Sequence, residues 1–272
     1  MTTVTVVNQK GGVCKTTLCR NLGYLLASKY GKRVLLIDLD SSGNLSSFFG
    51  FETTDDVVCG AAKIISNLDM DPHEGICDTR VQNLKIITGS EYLGRTERDV
   101  KSDNSSPQQK RLQYQLNKIK DEFDYCLVDC PPTVSDSILV YNSLVASDQV
   151  IIPCVPSKDS VQGVSKVQDM VEGVNRWFND RLTIRGVVFF RIGHKTIDKD
   201  LVRQKLPVPR FRAYVRECGA LAEYSLLQGK VFCEYQESSS GSKDMANLAA
   251  EFVGAKFPYP DELQEELDDY IS

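Results

Sequence analysis

The chain has 272 residues, of which 42% are hydrophobic and 25% are charged, and its formal net charge is −5 at pH 7. This is an ordinary composition for a folded domain, and it argues against a protein that is basic over its whole surface. No apolar stretch reaches the roughly 18–20 residues of a membrane-spanning helix, and the N-terminus leads directly into a strand, so we expect neither a membrane span nor a signal peptide. The nine cysteines are scattered without the paired spacing of zinc sites, which favours a reducing cytosol.

The first chemically informative segment is NQKGGVCKTT at 8–17, which directly follows the apolar run Val4–Val7. Glycines, a lysine and hydroxyls in this order form a phosphate-binding loop between a strand and a helix. We expect backbone N–H groups to surround the phosphates and Lys15 to reach the β- and γ-phosphate oxygens. The Thr16 hydroxyl is expected to bind Mg²⁺.

Two positions of this loop depart from the ordinary pattern GxxxxGK(S/T), because Gln9 and Cys14 stand where glycines are usual. A glycine-rich turn without a ligand is the simpler alternative, but the strand before the loop and the Lys-Thr-Thr within it favour a nucleotide site. If the position of Cys14 requires a positive φ, its side chain costs about 1–2 kcal/mol. A thiol at a helix N-terminus beside a lysine could also have a lowered pKa and be oxidisable, and simple tolerance of the side chain is the alternative.

Apolar runs and helical patterns alternate along the rest of the chain. Buried strands are expected at 33–40, 84–88, 125–129, 149–155 and 186–190, helices at 16–30, 112–123 and 164–178, and a polar loop at 101–109. This alternation predicts βαβ units, and therefore an α/β fold with a mostly parallel twisted sheet flanked by helices on both faces. We expect a single domain over 1–272, in which 258–272 is an acidic tail.

Three aspartates end predicted strands, namely Asp38, Asp40 and Asp129. In open parallel sheets, ligands bind beyond the carboxyl ends of the strands. Asp129 is typical of the carboxylate that holds a Mg²⁺-bound water, and Asp38 and Asp40 alternate, so that one can face the metal and the other the attacking water. An aspartate at a strand end also serves turn chemistry alone, but three of them with a phosphate loop favour a metal–nucleotide site.

Charge is unevenly distributed along the chain. Between Arg181 and Arg216 there are ten lysines and arginines and only two acids, whereas 258–272 contains six acids and no base. Lysine and arginine that neutralise DNA phosphates provide sequence-independent affinity, so the basic stretch predicts non-specific DNA binding. A solvated basic face that pairs with acids elsewhere is the alternative. The candidate DNA contacts are Lys195, Lys199, Arg203, Lys205, Arg212 and Arg216.

Taken together, these segments resemble the ParA/MinD family of deviant Walker ATPases, and most closely its ParA (Soj) partition branch, which includes carboxysome-positioning McdA-like members. The similar segments follow the family order over nearly the whole chain. They are NQKGGVCKTT (8–17), GKRVLLIDLDSSGN (31–44), NLKIITGS (83–90), FDYCLVDCPPT (123–133), QVIIPCVPS (149–157), GVVFF (186–190) and VPRFRAYVRE (208–217). The resemblance implies a P-loop NTPase fold with ATP and Mg²⁺ as cofactors.

The resemblance also implies roles for individual residues. Lys10 would be the signature lysine that reaches the partner's nucleotide in an ATP-sandwich homodimer, and Asp40 would position the hydrolytic water. Lys10, Lys15 and Asp40 are the implied catalytic residues, and Pro209 would lie against adenine. The implied phosphate-binding residues are Gly11, Gly12, Val13, Cys14, Lys15, Thr16 and Thr17, and the implied metal-site residues are Thr16, Asp38 and Asp129. The family's usual Pro-Gln-Gly-Asn after Asp40 is replaced by Ser41-Ser42-Gly43-Asn44.

The implied activity is slow ATP hydrolysis that a ParB-like or adaptor partner stimulates. The ATP dimer would bind DNA non-specifically and be released on hydrolysis, so that a plasmid, a chromosome region or a protein assembly such as a carboxysome is segregated or distributed. The expected location is the cytoplasm, in association with the nucleoid. No helix-turn-helix segment precedes the loop, so we do not expect specific operator binding.

Other members of the same fold are the alternatives. A MinD-like protein ends in a basic amphipathic helix, whereas anionic lipid would repel the acidic tail here, so we expect no membrane partner. A metabolic or cluster-carrying ATPase is a second alternative, and Cys59 resembles a cluster ligand but lies far before the strand 125–129. A nucleotide-binding scaffold with little hydrolysis is a third, if Cys14 has damaged the loop.

Overall fold

The computed structural model describes residues 1–51, 60–132, 136–193 and 206–260. In this part of the chain, eight strands form one sheet in the order β3-β4-β2-β5-β1-β6-β7-β8. Neighbouring strands are parallel except for β3, which is antiparallel to β4 at one edge. The strands are β1 Thr2–Val6, β2 Val34–Asp38, β3 Ile76–Asp78, β4 Leu84–Ile87, β5 Tyr125–Asp129, β6 Gln149–Cys154, β7 Thr183–Ile192 and β8 Val215–Arg216. The predicted mostly parallel sheet is therefore confirmed.

Helices follow most of the strands. They are α1 Lys15–Ser28, α2 Asn44–Phe48, α3 Ala61–Ser66, α4 Leu93–Ser102, α5 Arg111–Ile119, α6 Ile138–Ala146, α7 Lys158–Trp177, α8 Gly219–Leu227, α9 Phe232–Gln236 and α10 Ser240–Phe252. The polar loop expected at 101–109 begins two residues later, because α4 continues through Ser102. Among the described helices, none combines the length and the hydropathy that a membrane span requires.

Alternate side chains of the buried strands enter two separate cores, one on each face of the sheet. On β2, Leu35 and Ile37 belong to the first core, whereas Val34 and Leu36 belong to the second. Helices α3 to α7 supply apolar residues to the first core, and α1, α2 and α8 to α10 supply the second. All five residues of β2 are buried, as expected for a parallel strand that is covered on both faces. The predicted helices on both faces are confirmed.

The strand order brings the predicted strand-end residues together. In the parallel register, Asp129 at the end of β5 lies opposite Asp38 at the end of β2 and opposite Val6 at the end of β1. The loop that follows β1 therefore begins beside two aspartates that are 91 positions apart in the chain. This edge, where the carboxyl ends of parallel strands meet, is where ligands bind in folds of this class.

Candidate nucleotide site

The loop between β1 and α1 turns through two residues in the left-handed conformation, Gly12 with φ 74° and Cys14 with φ 70°. The conformation costs a residue with a Cβ roughly 1–2 kcal/mol, so Cys14 is a strained position. Cys14 is the N-cap of α1, yet its side chain makes no capping hydrogen bond. The first N–H groups of α1 therefore receive no side-chain cap from this residue and face the loop, which is the arrangement that binds phosphate.

The buried Asn8 holds the start of the loop. Its Nδ2 donates to the Pro153 carbonyl at 2.8 Å, and its Oδ1 accepts from the Lys10 backbone N–H at 3.2 Å. Gly163 of α7 packs so closely that a Cβ there would lie 2.4 Å from Asn8 Oδ1. Within the loop, the Lys15 ammonium donates to the Lys10 carbonyl at 3.4 Å. The loop is thus supported from β6 and α7, and Lys15 points back across it.

Thr16 and Asp129 form the candidate metal site. Thr16 Oγ1 donates to Asp129 Oδ2 at 2.6 Å, while Asp129 Oδ1 is buried and has no hydrogen-bond partner among the described residues. Burial raises the pKa of Asp129 well above its usual value and the nearby Asp38 adds to the rise, whereas Thr16 and Lys15 lower it. A carboxylate oxygen left unsatisfied beside a threonine hydroxyl fits Mg²⁺, which takes few protein oxygens and completes its shell with phosphates and water.

Asp38 has different surroundings. Its Oδ1 accepts from the Asp40 N–H at 3.1 Å, and its Oδ2 accepts from the Ser46 N–H and hydroxyl at 2.9 and 2.7 Å. Burial raises the pKa of Asp38 to about 6. Both oxygens therefore hold the segment that follows β2 against the end of the sheet. Of the two aspartates, the geometry favours Asp129 as the one closer to a metal ion.

Asp40 faces an open cavity. Its Oδ1 accepts from the Ser42 N–H at 2.9 Å and from the Ser42 hydroxyl at 2.8 Å, and Asn44 Nδ2 donates to the same hydroxyl at 2.9 Å. Ser42, which departs from the family pattern, thus orients Asp40. Asn44, which matches that pattern, in turn holds Ser42. The cavity has a volume of about 410 Å³, and its lining includes Gly11, Gly12, Cys14, Lys15, Thr16, Thr17 and Asp40. The structure brings these expected phosphate-site residues together; Val13, in the same loop, is buried.

Lys10 makes its contacts within its own chain. Its Nζ donates to Ser157 Oγ at 3.1 Å and lies 3.6 Å from Asp159 Oδ2. The side chain of Lys10 is 37% exposed and that of Asp159 is 79% exposed. Ion pairs this exposed contribute roughly 0–1 kcal/mol, so Lys10 is held only weakly in this position.

A larger cavity of about 980 Å³ adjoins the first. It extends from the loop between α2 and α8, and the segment Val215–Gly219 forms part of its wall. Its volume is at the upper end of the range for small-molecule sites, and is ample for a nucleoside. The residues that line both cavities are Cys14, Thr16, Thr17, Asn44 and Arg191.

Pro209 is not among the described residues that line either cavity. Its carbonyl accepts from the Val187 N–H at 2.9 Å, and the adjacent Arg210 forms a parallel bridge with Val187. Val187 lies in the middle of β7, whereas the cavities lie at the strand ends. The contact between Pro209 and adenine stays a prediction, and the segment Val215–Gly219 forms part of the wall of the larger cavity.

Arg191 is a site residue that the sequence reasoning missed. It lines both cavities, and its φ of 57° makes it a second left-handed residue with a side chain at this site. The pairing of β7 with β8 shifts register at this point, between Phe190 and Ile192. Such bulges re-aim side chains near functional sites. The rule that ligands bind at strand ends, applied to the apolar run 186–190, was the available signal.

The thiol of Cys14 does not behave as its helix position suggested. Burial raises the pKa of Cys14, and the nearby Arg191 guanidinium offsets this rise only in part. This direction is opposite to a lowered pKa, because the loss of hydration outweighs the neighbouring cations Arg191 and Arg20. The alternative, that the loop simply tolerates a neutral side chain at Cys14, fits the site better.

Two of the six candidate DNA contacts, Arg212 and Arg216, lie in the described part of the chain. Arg216 Nε and Nη2 donate to the buried Asp244 carboxylate at 2.9 and 2.5 Å, and the Arg212 guanidinium lies 5.1 Å from the centre of the Phe257 ring. Both are thus engaged in contacts within the fold. The other four, Lys195, Lys199, Arg203 and Lys205, lie outside the described residues, as do Cys59 and all six acids of the tail.

A strand, a left-handed loop, a helix that begins at Lys15-Thr16, and an aspartate at the end of the neighbouring strand define a P-loop nucleotide-binding protein. Residues 1–184 match the family model described as an AAA domain. The chain is 36% identical over 193 residues to the sporulation initiation inhibitor protein Soj of Bacillus subtilis, covering 71% of this chain and 74% of that protein.

A second relative matches over a greater length. The chromosome-partitioning ATPase Soj of Treponema pallidum is 35% identical over 259 residues, which cover 92% of this chain and 96% of that protein. In fold, the chain resembles the ATP complex of a Cyanothece McdA variant with a TM-score of 0.79 and 23% identity, over 96% of this chain and 99% of that one. The chain belongs to the ParA/MinD family of partition and positioning ATPases, in its Soj/ParA branch.

Proposed function

We propose that this chain binds ATP together with Mg²⁺ across the two adjoining cavities and hydrolyses it. The observation that carries the proposal is the unsatisfied Oδ1 of Asp129, buried beside the Thr16 hydroxyl and below a phosphate loop. The terminal phosphates would lie in the smaller cavity, against Lys15 and the first N–H groups of α1, and the nucleoside would occupy the larger one. The McdA structure of similar fold was solved as an ATP complex, which supports the assignment.

The catalytic work falls to residues that bind and orient. Thr16 and Asp129 would hold the ion, which when bound supplies positive charge to the phosphate oxygens. Lys15 would stabilise the charge that builds on these oxygens, and Asp40, oriented by Ser42, would align the attacking water. Since no strong base faces the smaller cavity among the described residues that line it, we expect slow turnover that a partner accelerates.

We infer that ATP brings two copies together and that Lys10 then reaches the nucleotide of the other copy. The present contacts of Lys10 with Ser157 and Asp159 are exposed and weak, so a triphosphate can compete for its ammonium group. The dimer would bind DNA non-specifically through the basic stretch between Arg181 and Arg216. A ParB-like or adaptor protein would stimulate hydrolysis and so release the dimer from the nucleoid into the cytoplasm.

The proposal is tested by measuring ATP hydrolysis and DNA retention with ATP and with ADP. Asp40→Ala should bind ATP, remain dimeric and stay on DNA, because binding and hydrolysis are then uncoupled. A monomeric Asp40→Ala variant at saturating ATP would contradict the scheme. Lys10→Ala should retain nucleotide but lose partner-stimulated hydrolysis, and wild-type stimulated turnover in that variant would remove the role of Lys10.

DNA binding has its own signature. When affinity comes from phosphate neutralisation, the logarithm of the binding constant falls steeply and linearly with the logarithm of the salt concentration. We therefore expect DNA retention by the ATP form to fall with salt and to be similar for unrelated DNA sequences. Retention that depends on sequence, or that is equal with ATP and ADP, would argue against the proposed cycle while leaving the nucleotide site intact.

A further inference from the structure

Arg20 is a buried arginine to which no residue in the described part of the chain supplies an anionic partner. It lies on α1, five residues after Lys15, and is only 4% exposed. Its Nε is buried and has no hydrogen-bond partner within the described ranges, and its guanidinium carbon lies 4.6 Å from the centre of the Phe48 ring. Burial lowers the pKa of Arg20 to about 10, and the nearby Cys14 thiol opposes this shift. A buried guanidinium without a carboxylate is costly, and arginines are rarely left so.

Arg111 shows how this protein satisfies a buried arginine elsewhere. It is 3% exposed, and its Nη2 donates to the Asp103 carboxylate and to the Ser106 hydroxyl. Its Nη1 donates to the Ile65 carbonyl at 3.3 Å. The two arginines are buried to a similar degree, but among the described residues an anionic partner is present for Arg111 and not for Arg20. The contrast indicates that the anion for Arg20 comes from a ligand.

The position of Arg20 identifies that ligand. Arg20 lines the larger cavity, and Thr16 and Thr17, which lie one helical turn earlier, line both cavities. A nucleotide with its terminal phosphates at Lys15 must pass Thr16 and Thr17 to place its nucleoside in the larger cavity. The first anionic group on that path is the α-phosphate. Arg191 lines the same passage.

We propose that Arg20 is a nucleotide-binding residue whose guanidinium binds the α-phosphate of nucleoside di- and triphosphates. This inference rests on the proposed function, because it requires that a nucleotide occupies both cavities. Arginine suits the task, since its planar fork matches phosphate oxygens and remains charged when buried. Because ATP and ADP share the α-phosphate, Arg20 strengthens the binding of both equally. Discrimination between them is left to Lys10, Lys15 and the metal.

The test is calorimetric titration of ATP, ADP and pyrophosphate, with Mg²⁺ present, into the full-length chain and two matched variants. Arg20→Met should weaken ATP and ADP by the same factor, about tenfold or more. It should leave pyrophosphate unchanged, because pyrophosphate fills the loop without an α-phosphate. Without nucleotide, its melting temperature should equal or exceed that of the wild type, because an uncompensated buried charge is removed. Arg111→Met should do the opposite, melting several degrees lower and binding ADP as the wild type does.

Three results would overturn the assignment. They are an ADP affinity of Arg20→Met within twofold of wild type, an equal loss of pyrophosphate affinity, or a loss for ATP alone. If Arg20→Met does not fold, Arg20→Gln, also neutral, is judged by the same criteria. A wild-type chain that binds neither ATP nor ADP would refute the proposed function itself. If the wild type binds ADP and Arg20→Met binds it equally tightly, only the role of Arg20 is refuted.

Discussion

Gly163 on α7 provides a sharp test of how the phosphate loop is supported. A methyl group added there would lie 2.4 Å from Asn8 Oδ1 and 3.3 Å from its Cγ, so the amide must move. Asn8 makes two hydrogen bonds, a buried one to the Pro153 carbonyl and a partly buried one from the Lys10 N–H. Gly173 lies ten residues further along the same helix, and a methyl group added there meets no atom within 4 Å. It is the matched control.

The expected magnitudes have opposite signs. Alanine is favoured over glycine in a helix interior by about 1 kcal/mol, and Gly173→Ala should gain up to this amount. Gly163→Ala has the same gain but disrupts the Asn8 hydrogen bonds and overpacks the contact, which costs about 2–3 kcal/mol. The net effect is a loss of about 1–2 kcal/mol, so the two variants should differ by about 2–3 kcal/mol, or roughly 4–10 °C in melting temperature.

Both variants are compared by urea unfolding and by ADP titration. Gly163→Ala should unfold at lower urea and bind ADP more weakly, because the loop that Asn8 holds is displaced. Gly173→Ala should unfold at equal or higher urea and bind ADP as the wild type does. If Gly163→Ala is as stable as Gly173→Ala and binds ADP normally, Asn8 and Gly163 do not support the loop.

Three further predictions concern Cys14, Thr16 and His73. Cys14→Gly should be more stable than Cys14→Ala by about 1 kcal/mol, because only glycine adopts φ 70° without strain. Both variants lack the thiol, so equal unfolding midpoints would show that the backbone at this position is not strained. Thr16→Val, similar in shape, should keep the fold but lose Mg²⁺-dependent hydrolysis, and undiminished turnover at limiting Mg²⁺ would speak against a metal at Thr16. Hydrogen bonds with Glu122 and Asp71 raise the pKa of His73 above 6.5. The stability that the His73 ion pairs provide is therefore complete below this value and is lost as pH rises through the raised pKa. The urea midpoints of wild type and His73→Gln should differ at about pH 5.5 and converge near pH 8.5. A difference that does not change with pH would exclude the ion pairs.

The phosphate loop and its strand could be predicted because their signals are contiguous. The order of Lys10, Gly12, Lys15 and Thr16 within seven residues encodes the loop, and apolar runs encode the buried strands. The short strands β3 and β8 and the helices α2 to α4, α6 and α8 to α10 were not predicted. Strand β3 has three residues, which are too few to show a periodic pattern. On α8 to α10 the apolar residues are scattered around the helices or mixed with small residues.

The sequence by itself therefore determined the fold class, the family, the nucleotide loop and the aspartates at strand ends. Only the tertiary structure decided which of these groups meet. It set Asp129 apart from Asp38 by their hydrogen bonds, joined Pro209 to Val187 in the middle of β7, and brought Arg191 into the lining of the cavities. The physical reason is that burial, an unsatisfied oxygen or an unpartnered guanidinium arises from contacts between distant segments, and no local pattern of residues records which segments those are.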